Sequence, residues 1–489
     1  MSIPSVGNSR FSTQLELDAE EAADAPLQHV GISRAAQIRP IPEKVFVDIV
    51  RLSDLIVLCL ASYIAYNVRA AALPTTDPSE YVAGTAVGAL IWTVLSGVAL
   101  PLSAGALRRL RTLHSATLCW SSVAALMFGL IMLFRKGNGA AYDWLMWWFF
   151  LGLAGLAAFR VIAAGLLSAR GGGLVSRRVV VLGTGQLGRR VVEHIETHSA
   201  AGVRVNATFD DSRIGDALEL IRQMSIDCVV LALPFAAEAR IKQLIDELRQ
   251  MAVDVCLVSD TVGFYMLSYS VPNIAGIPVL VAAERPMKEW RAVLKASEDK
   301  ILAAAALCVF LPLLACIAIA ITLDSGGPVL FRQPRRGFNQ RIFCVYKFRT
   351  MYTEVCDELG TVLTSRGDKR VTRVGAFLRK TSLDELPQLV NVLVGDMSIV
   401  GPRPHPLNAK AADKRYDEVV ACYASRHRVK PGITGWAQVN GWRGQTDTFE
   451  QIERRVEHDL RYIENWSLGF DIWILVLTLW RGFYHRNAY

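Results

Sequence analysis

The stretch ILAAAALCVFLPLLACIAIAITL, Ile301–Leu323, carries no charge over 23 residues. At about 1.5 Å per residue, a straight helix of that length would cross a hydrocarbon core of about 30 Å. Whether it crosses decides which side of a membrane everything after it occupies. Two features argue against a crossing. Pro312 stands in its centre, where the missing N–H removes a backbone hydrogen bond and kinks a helix. Both flanks are also basic: Lys288, Arg291, Lys295 and Lys300 precede it, and Arg332, Arg335 and Arg336 follow. Lys and Arg favour one membrane face. The stretch therefore reads as a re-entrant helix, entering and leaving on the same side, with an ordinary kinked span as the competing reading.

Downstream, Gly326-Gly327-Pro328 turns the chain out of the apolar run. Lys347 and Arg349 alternate with Phe348, a strand pattern with both cations on one face. Arg379-Lys380-Thr381-Ser382-Leu383-Asp384-Glu385 then sets two adjacent carboxylates behind two cations, and Gly401-Pro402-Arg403-Pro404 follows. A carboxylate can attack phosphorus and split one hard transfer into two. Adjacent carboxylates repel unless a cation sits between them, and Mg²⁺ takes oxygen ligands. On that chemistry Asp384 is a nucleophile, Glu385 a metal ligand and Arg403 a phosphate clamp, held between two prolines. The local pattern alone also fits a helix start, because Ser382 and Glu385 have capping-box spacing.

The surroundings decide between them. Phe331-Arg332-Gln333, Tyr346-Lys347-Phe348-Arg349-Thr350-Met351, the Asp384-Glu385 stretch, Gly395-Asp396-Met397-Ser398-Ile399-Val400-Gly401-Pro402-Arg403-Pro404 and Lys430-Pro431-Gly432-Ile433-Thr434-Gly435-Trp436 occur in that order. From about Ala296 onward this resembles the bacterial sugar transferases, the monotopic phosphoglycosyl transferases. The longer architecture resembles the large members that begin polysaccharide repeat units. The resemblance implies transfer of a hexose 1-phosphate from a UDP-sugar to undecaprenyl phosphate, with release of UMP. It implies a covalent aspartyl-phosphosugar on Asp384, Mg²⁺ at Glu385, and a re-entrant helix broken at Pro312. Arg403, Arg379, Lys347, Arg349, Asp396 and Trp436 become candidate phosphate- or substrate-binding residues, with Arg335 and Arg336 steering the lipid headgroup. His405 reads as a structural histidine rather than a base. Asn440-Gly441-Trp442-Arg443-Gly444-Gln445-Thr446 looks most like glucose-specific members, with galactose or an N-acetylated hexosamine as alternatives. Similar large members are often homodimers.

Upstream, Arg178–Leu182 reads as a strand leading into Gly183-Thr184-Gly185-Gln186-Leu187-Gly188 and a helix, with further strands at Val203–Phe209, Cys228–Leu233 and Val253–Val258. A GxGxxG between strand and helix has the context of a dinucleotide-binding turn. Residues 176–280 are thus expected to form a Rossmann-like, doubly wound α/β domain, with Gly183, Gly185 and Gly188 as possible nucleotide-binding positions. No hydride-transfer set accompanies it, so a structural or regulatory role is favoured over a membrane-anchored NAD(P)-dependent sugar-nucleotide enzyme.

Four apolar runs lie between residues 45 and 168: Val45–Val68, Tyr81–Leu102, Ser115–Phe134 and Tyr142–Leu167. Each has about the length of a membrane span. The first carries Asp48, Arg51 and Asp54, spaced to share one helical face and pair. Trp144, Trp147 and Trp148 open the fourth as expected interfacial anchors. Arg34, Arg39 and Lys44, then Arg108, Arg109 and Arg111, then Arg170, Arg177 and Arg178 place the N-terminus, the middle loop and the remainder in the cytoplasm, at a bacterial inner membrane. Arg135 and Lys136 are discordant. Residues 1–44 are polar and read as a disordered tail. Glu450–Tyr462 reads as a charged surface helix, and Trp466–Tyr484 as an interfacial helix or a terminal core helix.

Bulk properties agree. The chain is 52% hydrophobic, with a mean hydropathy of +0.29. Net charge is +8, and Val329–Arg443 carries 20 Lys and Arg against 10 Asp and Glu. That excess suits anionic partners: lipid headgroups, a nucleotide sugar, a lipid phosphate. No aromatic-basic module or finger spacing points to nucleic acid. Nine scattered cysteines without a CxxC pair argue against a disulfide framework or a zinc site. The expected architecture is a four-helix transmembrane bundle, the α/β domain, and an α+β transferase domain over 285–489 with its re-entrant helix at 301–323. A non-catalytic membrane scaffold is the remaining alternative.

Overall fold

The computed structural model describes residues 41–72, 78–100, 102, 106–107, 111–134, 139–169, 175–197, 202–258, 273–353, 368–407, 410–411, 414–416, 420, 422–442 and 448–484. Residues 1–40 of the tail expected over 1–44, the loop cations Arg34, Arg39, Arg108, Arg109, Arg135, Lys136 and Arg170, and residues 443–446 lie outside them.

Four helices form a bundle: α1 (Glu43–Ala72), α2 (Pro78–Ala99), α3 (Arg111–Phe134) and α4 (Gly139–Ala169). Its interior is aromatic, with Trp92, Trp120, Trp144 and Trp148 packed against Leu58, Tyr81 and Val123. Buried indole N–H groups need acceptors. Trp148 donates to the Leu58 carbonyl at 2.8 Å and Trp120 to that of Phe149 at 3.0 Å. Trp144 and Trp148 are therefore core residues rather than interfacial anchors, and only Trp147 of the three faces outward. The α1 charges do not pair with one another. Asp54 accepts from Arg160 of α4 at 2.8 Å, fully inside the bundle. Asp48 accepts from Trp290 instead. Arg69 donates to Asp143 at 2.5 Å, which neutralises the lone cation after the first run. Among the described residues four helices are long and apolar enough to cross a membrane: Pro78–Ala99, Thr112–Phe134, Ala141–Leu167 and Glu289–Asp324. The charged α1 is not among them, although it packs as a bundle member. Outward-facing Leu90, Val94, Val98, Leu118, Phe150 and Leu166 give the bundle an apolar exterior, as a lipid-facing surface requires.

The next domain is an α/β layer structure. Strands β1 (Arg177–Leu182), β2 (Val203–Phe209), β3 (Cys228–Leu231) and β4 (Asp254–Leu257) run parallel in the order 2-1-3-4, and β5 (Leu280–Ala283) closes the edge antiparallel to β4. Crossovers between β1, β2, β3 and β4 are α5 (Gln186–Thr197), α6 (Ile214–Gln223) and α7 (Glu238–Leu248). The near-continuous Val and Leu of β1 and β3 are buried on both faces, as a parallel sheet demands. Two glycines of the first turn are sterically required. Gly183 has φ +117°, and a Cβ on Gly188 would lie 1.8 Å from the Gly183 carbonyl oxygen. Gly185 has open space around it.

The last domain begins with α8 (Glu289–Asp324), one continuous helix that includes Pro312. Both its ends are tied to the same domain. Near the start, Asp299 accepts from Ser398 Oγ at 2.8 Å and from the Ile399 amide at 2.9 Å, and Lys295 reaches Asp471 at 2.7 Å. At its end, Asp324 accepts from the Val374 amide at 3.1 Å. Leu314, Ile317, Ala318 and Ile321 pack with Phe348, Val374 and Leu378, while Ile301, Val309, Leu311 and Leu323 face outward. The antiparallel hairpin β6 (Leu330–Arg336) and β7 (Ile342–Phe348) follows, then α9 (Arg373–Thr381), α10 (Gln388–Val394) and the short parallel pair β8 (Ser398–Val400) and β9 (Gly432–Thr434). Helices α11 (Phe449–Glu464) and α12 (Leu468–Tyr484) complete it. Helix α11 is more than a surface helix, because Arg455 and Asp459 on its inner face are buried. Helix α12 buries Asp471 and Ile474, and turns Ile472, Trp473, Val476, Leu479 and Trp480 outward along one face.

Candidate active site

The dyad sits in a single 3-10 turn, Leu383–Glu385, wedged between two helices. Helix α9 starts with a Thr372 cap, whose Oγ accepts from the Gly375 amide at 2.9 Å, and ends at Ser382 in the left-handed region, φ 59°. Pro387 then opens α10. The capping box is not formed: Ser382 makes no side-chain cap on this turn. The Glu385 carboxylate points to cations instead. Lys347 Nζ lies 3.2 Å from Oε1. Arg403 is bidentate, with Nη1 donating to Oε2 at 3.0 Å and Nη2 to Oε1. Such two-pronged pairing is the strong form of the carboxylate–guanidinium bond.

Asp384 differs from its neighbour. Among the described residues its carboxylate accepts no hydrogen bond, and it is only partly accessible. Burial, reinforced by the adjacent Glu385 charge, pushes its pKa up to about 6, against the opposing pull of Lys347, Arg379 and Arg403. Burial also lowers Lys347, although Glu385 beside it acts the other way. A carboxylate without hydrogen bonds, above its usual range and ringed by cations, is poised as a nucleophile once ionised.

Other sequence candidates divide. Arg379 borders the site, with Nε donating to Thr350 Oγ1 at 2.8 Å and its charge acting on Asp384. Arg349 does not join it. Its buried guanidinium donates to the Ser325 and Gly326 carbonyls, both at 2.7 Å, and so caps the C-terminus of α8. Asp396 lies after α10, influenced by Lys430 and Arg341 rather than by the dyad, and burial raises its pKa. Trp436 packs edge-on against Phe470 at 5.0 Å, within the domain core. Pro312 lies inside α8, and Gly183, Gly185 and Gly188 line the first turn of the α/β domain.

Sequence reading missed several contributors. Asn391, fully buried, accepts from the Tyr346 amide at 2.9 Å and donates to the Cys344 carbonyl at 2.8 Å, which locks α10 to the strand carrying Lys347. Behind Arg403 lies a buried group of Arg335, His405, Tyr423, Arg426, Arg455 and Asp459. His405 Nδ1 is 2.7 Å from the Tyr423 hydroxyl, and Arg455 Nη1 lies 3.1 Å from its Nε2. Burial and the flanking Arg426 and Arg455 hold His405 far below its usual pKa, so it is a neutral structural acceptor. From the sequence His405 reads as a structural histidine and Arg335 as a headgroup-steering cation, whereas Tyr423, Arg426, Arg455 and Asp459 are not singled out there.

Among the described residues no cluster of three or more His, Cys, Asp or Glu side chains is placed to hold a metal. Mg²⁺ is usually bound by one or two carboxylates together with substrate phosphates and water; Asp384 has its oxygens open for it, and Glu385 would join by giving up a bond to Arg403 or Lys347.

Comparison with known proteins places the chain in a family. The bacterial sugar transferase family profile matches residues 290–485, and a CoA-binding domain profile matches residues 103–259. The chain is 38% identical over 381 residues to the UDP-glucose:undecaprenyl-phosphate glucose-1-phosphate transferase of Escherichia coli K12, covering 76% of this chain and 81% of that protein. It is 35% identical to the enzyme of the same name from Xanthomonas campestris pv. campestris, covering 90% and 94%. A UDP-N-acetylgalactosamine-undecaprenyl-phosphate N-acetylgalactosaminephosphotransferase from Aeromonas hydrophila is 42% identical over 189 residues, 38% of this chain and 43% of that one. With relatives at 38% and 35% identity over most of their own length and the family profile over residues 290–485, the chain belongs to the bacterial sugar transferase family.

Proposed function

We propose that this enzyme transfers glucose 1-phosphate from UDP-glucose to undecaprenyl phosphate, giving undecaprenyl diphosphoglucose and UMP, as the first step of an exopolysaccharide repeat unit. The long alignments to two enzymes named for that reaction support the substrate pair. The observation that carries the mechanism is the contrast within the dyad: Glu385 is held by Arg403 and Lys347, while Asp384 is left to react.

In the first displacement an Asp384 oxygen attacks the phosphorus that bears the sugar. The bond from that phosphorus to the bridging oxygen breaks, and UMP leaves with the oxygen. In the second, a phosphate oxygen of undecaprenyl phosphate attacks the same phosphorus, and the Asp384 carboxylate is released. Arg403, Lys347 and Arg379 surround the carboxylate and offset charge on the phosphoryl oxygens. Mg²⁺, when held by Asp384 and Glu385 with the substrate diphosphate, would supply further neutralisation of phosphate charge.

The membrane arrangement follows the same reading. Helix α8 is tied at Asp299 and at Asp324 to one domain, which supports a re-entrant helix bent at Pro312 and a dyad on the cytoplasmic face with the nucleotide sugar. The outward apolar face of α12 supports a second contact with the same leaflet. The 2-1-3-4 parallel order and the GxGxxG turn support a Rossmann-like middle domain.

Turnover of purified protein with Mg²⁺, undecaprenyl phosphate and UDP-glucose, UDP-galactose or UDP-N-acetylhexosamines tests the assignment. UMP release with UDP-glucose at a clearly higher kcat/KM than with the others is expected. Preference for another sugar overturns the glucose assignment.

A further inference from the structure

Arg403 reaches the dyad from a loop whose backbone is held from behind by charged groups. Three consecutive carbonyls are gripped. That of Pro402 accepts from the Gly432 amide at 2.9 Å. That of Arg403 accepts from Arg426 Nη2 at 2.8 Å, and that of Pro404 from Arg335 Nη1 at 2.9 Å. Arg426 is buried, and its Nη2 also donates to Asp459 of α11 at 2.6 Å. Its Nη1 lies 2.6 Å from His405 Nδ1. One guanidinium thus joins the loop, the imidazole two residues further on, and a helix distant in sequence. Burying so much charge is a poor way to gain stability, since apolar side chains of similar volume usually do as well. Directional hydrogen bonds give instead a fixed place in space. Pro402 and Pro404 remove φ freedom on either side of Arg403.

We infer that Arg426, held by Asp459, and Arg335 are positioning residues of this enzyme. Through the carbonyls of Arg403 and Pro404 they fix the loop that delivers the Arg403 guanidinium to Glu385 and to the reacting phosphoryl group. This inference rests on the reading of Asp384 and Arg403 above. The groups touch no substrate; they act through Arg403. An error of about 1 Å in a charged group at a reacting centre costs on the order of 100-fold in rate, so the grip is worth its buried charge.

A double-mutant cycle on the full chain tests it. The chains are wild type, Arg403→Gln, the charge-balanced pair Arg426→Gln with Asp459→Asn, and all three changes together. The readout is single-turnover formation of sugar-labelled protein from UDP-glucose and Mg²⁺, with thermal melts to verify folding. The pair is expected to slow labelling by about 10- to 100-fold and to leave KM for the nucleotide sugar nearly unchanged. Mere loss of active protein would lower the fraction labelled, whereas loss of positioning lowers the rate constant of the fraction that reacts. Added to Arg403→Gln, the pair should cost less than about threefold more, because coupled residues are not additive. Equal effects of the pair with and without Arg403, or no effect at all, would overturn the inference. Should the pair fail to fold, Arg335→Gln leaves Arg426–Asp459 intact and must show the same coupling to Arg403→Gln. Unimpaired labelling in Arg403→Gln itself would instead sink the underlying reading of the site.

Discussion

Asp384→Asn keeps the shape of the side chain and removes its charge, so it separates chemistry from folding. The carboxyl has a folded pKa of about 6 against a usual value of 3.8. An acid raised in this way destabilises the folded state when ionised. The penalty is absent below about pH 4 and complete above about pH 6. A shift of about two units corresponds to about 3 kcal/mol at 1.36 kcal/mol per unit, and screening at this partly accessible position reduces it to about 1.5–3 kcal/mol. The Asn variant should therefore be dead in covalent labelling yet melt several degrees above the wild type at pH 7.5. The comparison belongs in EDTA, so that no divalent ion compensates the carboxylates. At pH 5 the gap should shrink to roughly half. A variant less stable than the wild type at pH 7.5, or a gap that ignores pH, would refute the assignment of Asp384 as a strained, desolvated carboxylate.

Other outcomes follow from the same geometry. Labelling of the wild type should fall as pH drops through about 6, as Asp384 becomes protonated; a rate unchanged down to pH 4.5 would contradict an ionised Asp384 nucleophile. Glu385→Gln leaves Arg403 and Lys347 facing a neutral group, and melts should show a loss of about 2–4 kcal/mol together with loss of turnover. Arg160→Leu strands Asp54 inside the bundle and should cost about 3–5 kcal/mol, with recovery when Asp54→Leu is added; no recovery would show that the pair is not the unit. Pro312→Ala should let α8 straighten, so that a cysteine placed at Gly326 in an otherwise cysteine-free chain reacts with an impermeant thiol reagent added outside intact cells, whereas the same probe with Pro312 present should not.

Local signals were legible because they depend on neighbours in the chain. The strands at Val203–Phe209 and Cys228–Leu231, the glycine turn between β1 and α5, and the apolar lengths of α2, α3 and α4 all emerged from period and composition. The dyad and its partners Lys347 and Arg403 emerged from chemistry plus ordered motifs. What stayed hidden depends on tertiary partners. Arg349 has the spacing to share a strand face with Lys347, but the strand ends at Phe348 and the C-terminus of α8 takes its guanidinium. Trp144 and Trp148 look like interfacial anchors by position, yet three facing helices enclose them. Nothing local to Glu450–Tyr462 distinguishes Arg455 and Asp459 from the exposed Arg454 and Glu457 beside them. Arg455 turns inward to the Trp442 carbonyl and to His405, and Asp459 to Arg426 behind the Arg403 loop.

The account stands most directly on a covalent intermediate at Asp384. Purified protein should be mixed with Mg²⁺ and UDP-glucose without lipid acceptor, then examined by intact mass and by UMP release. The expected result is a mass gain of one hexose phosphate, one UMP per active chain, loss of the adduct on adding undecaprenyl phosphate, and none of this in Asp384→Asn. Turnover with lipid present, but with no adduct and no UMP release in its absence, would contradict the two-step mechanism and leave direct transfer in its place.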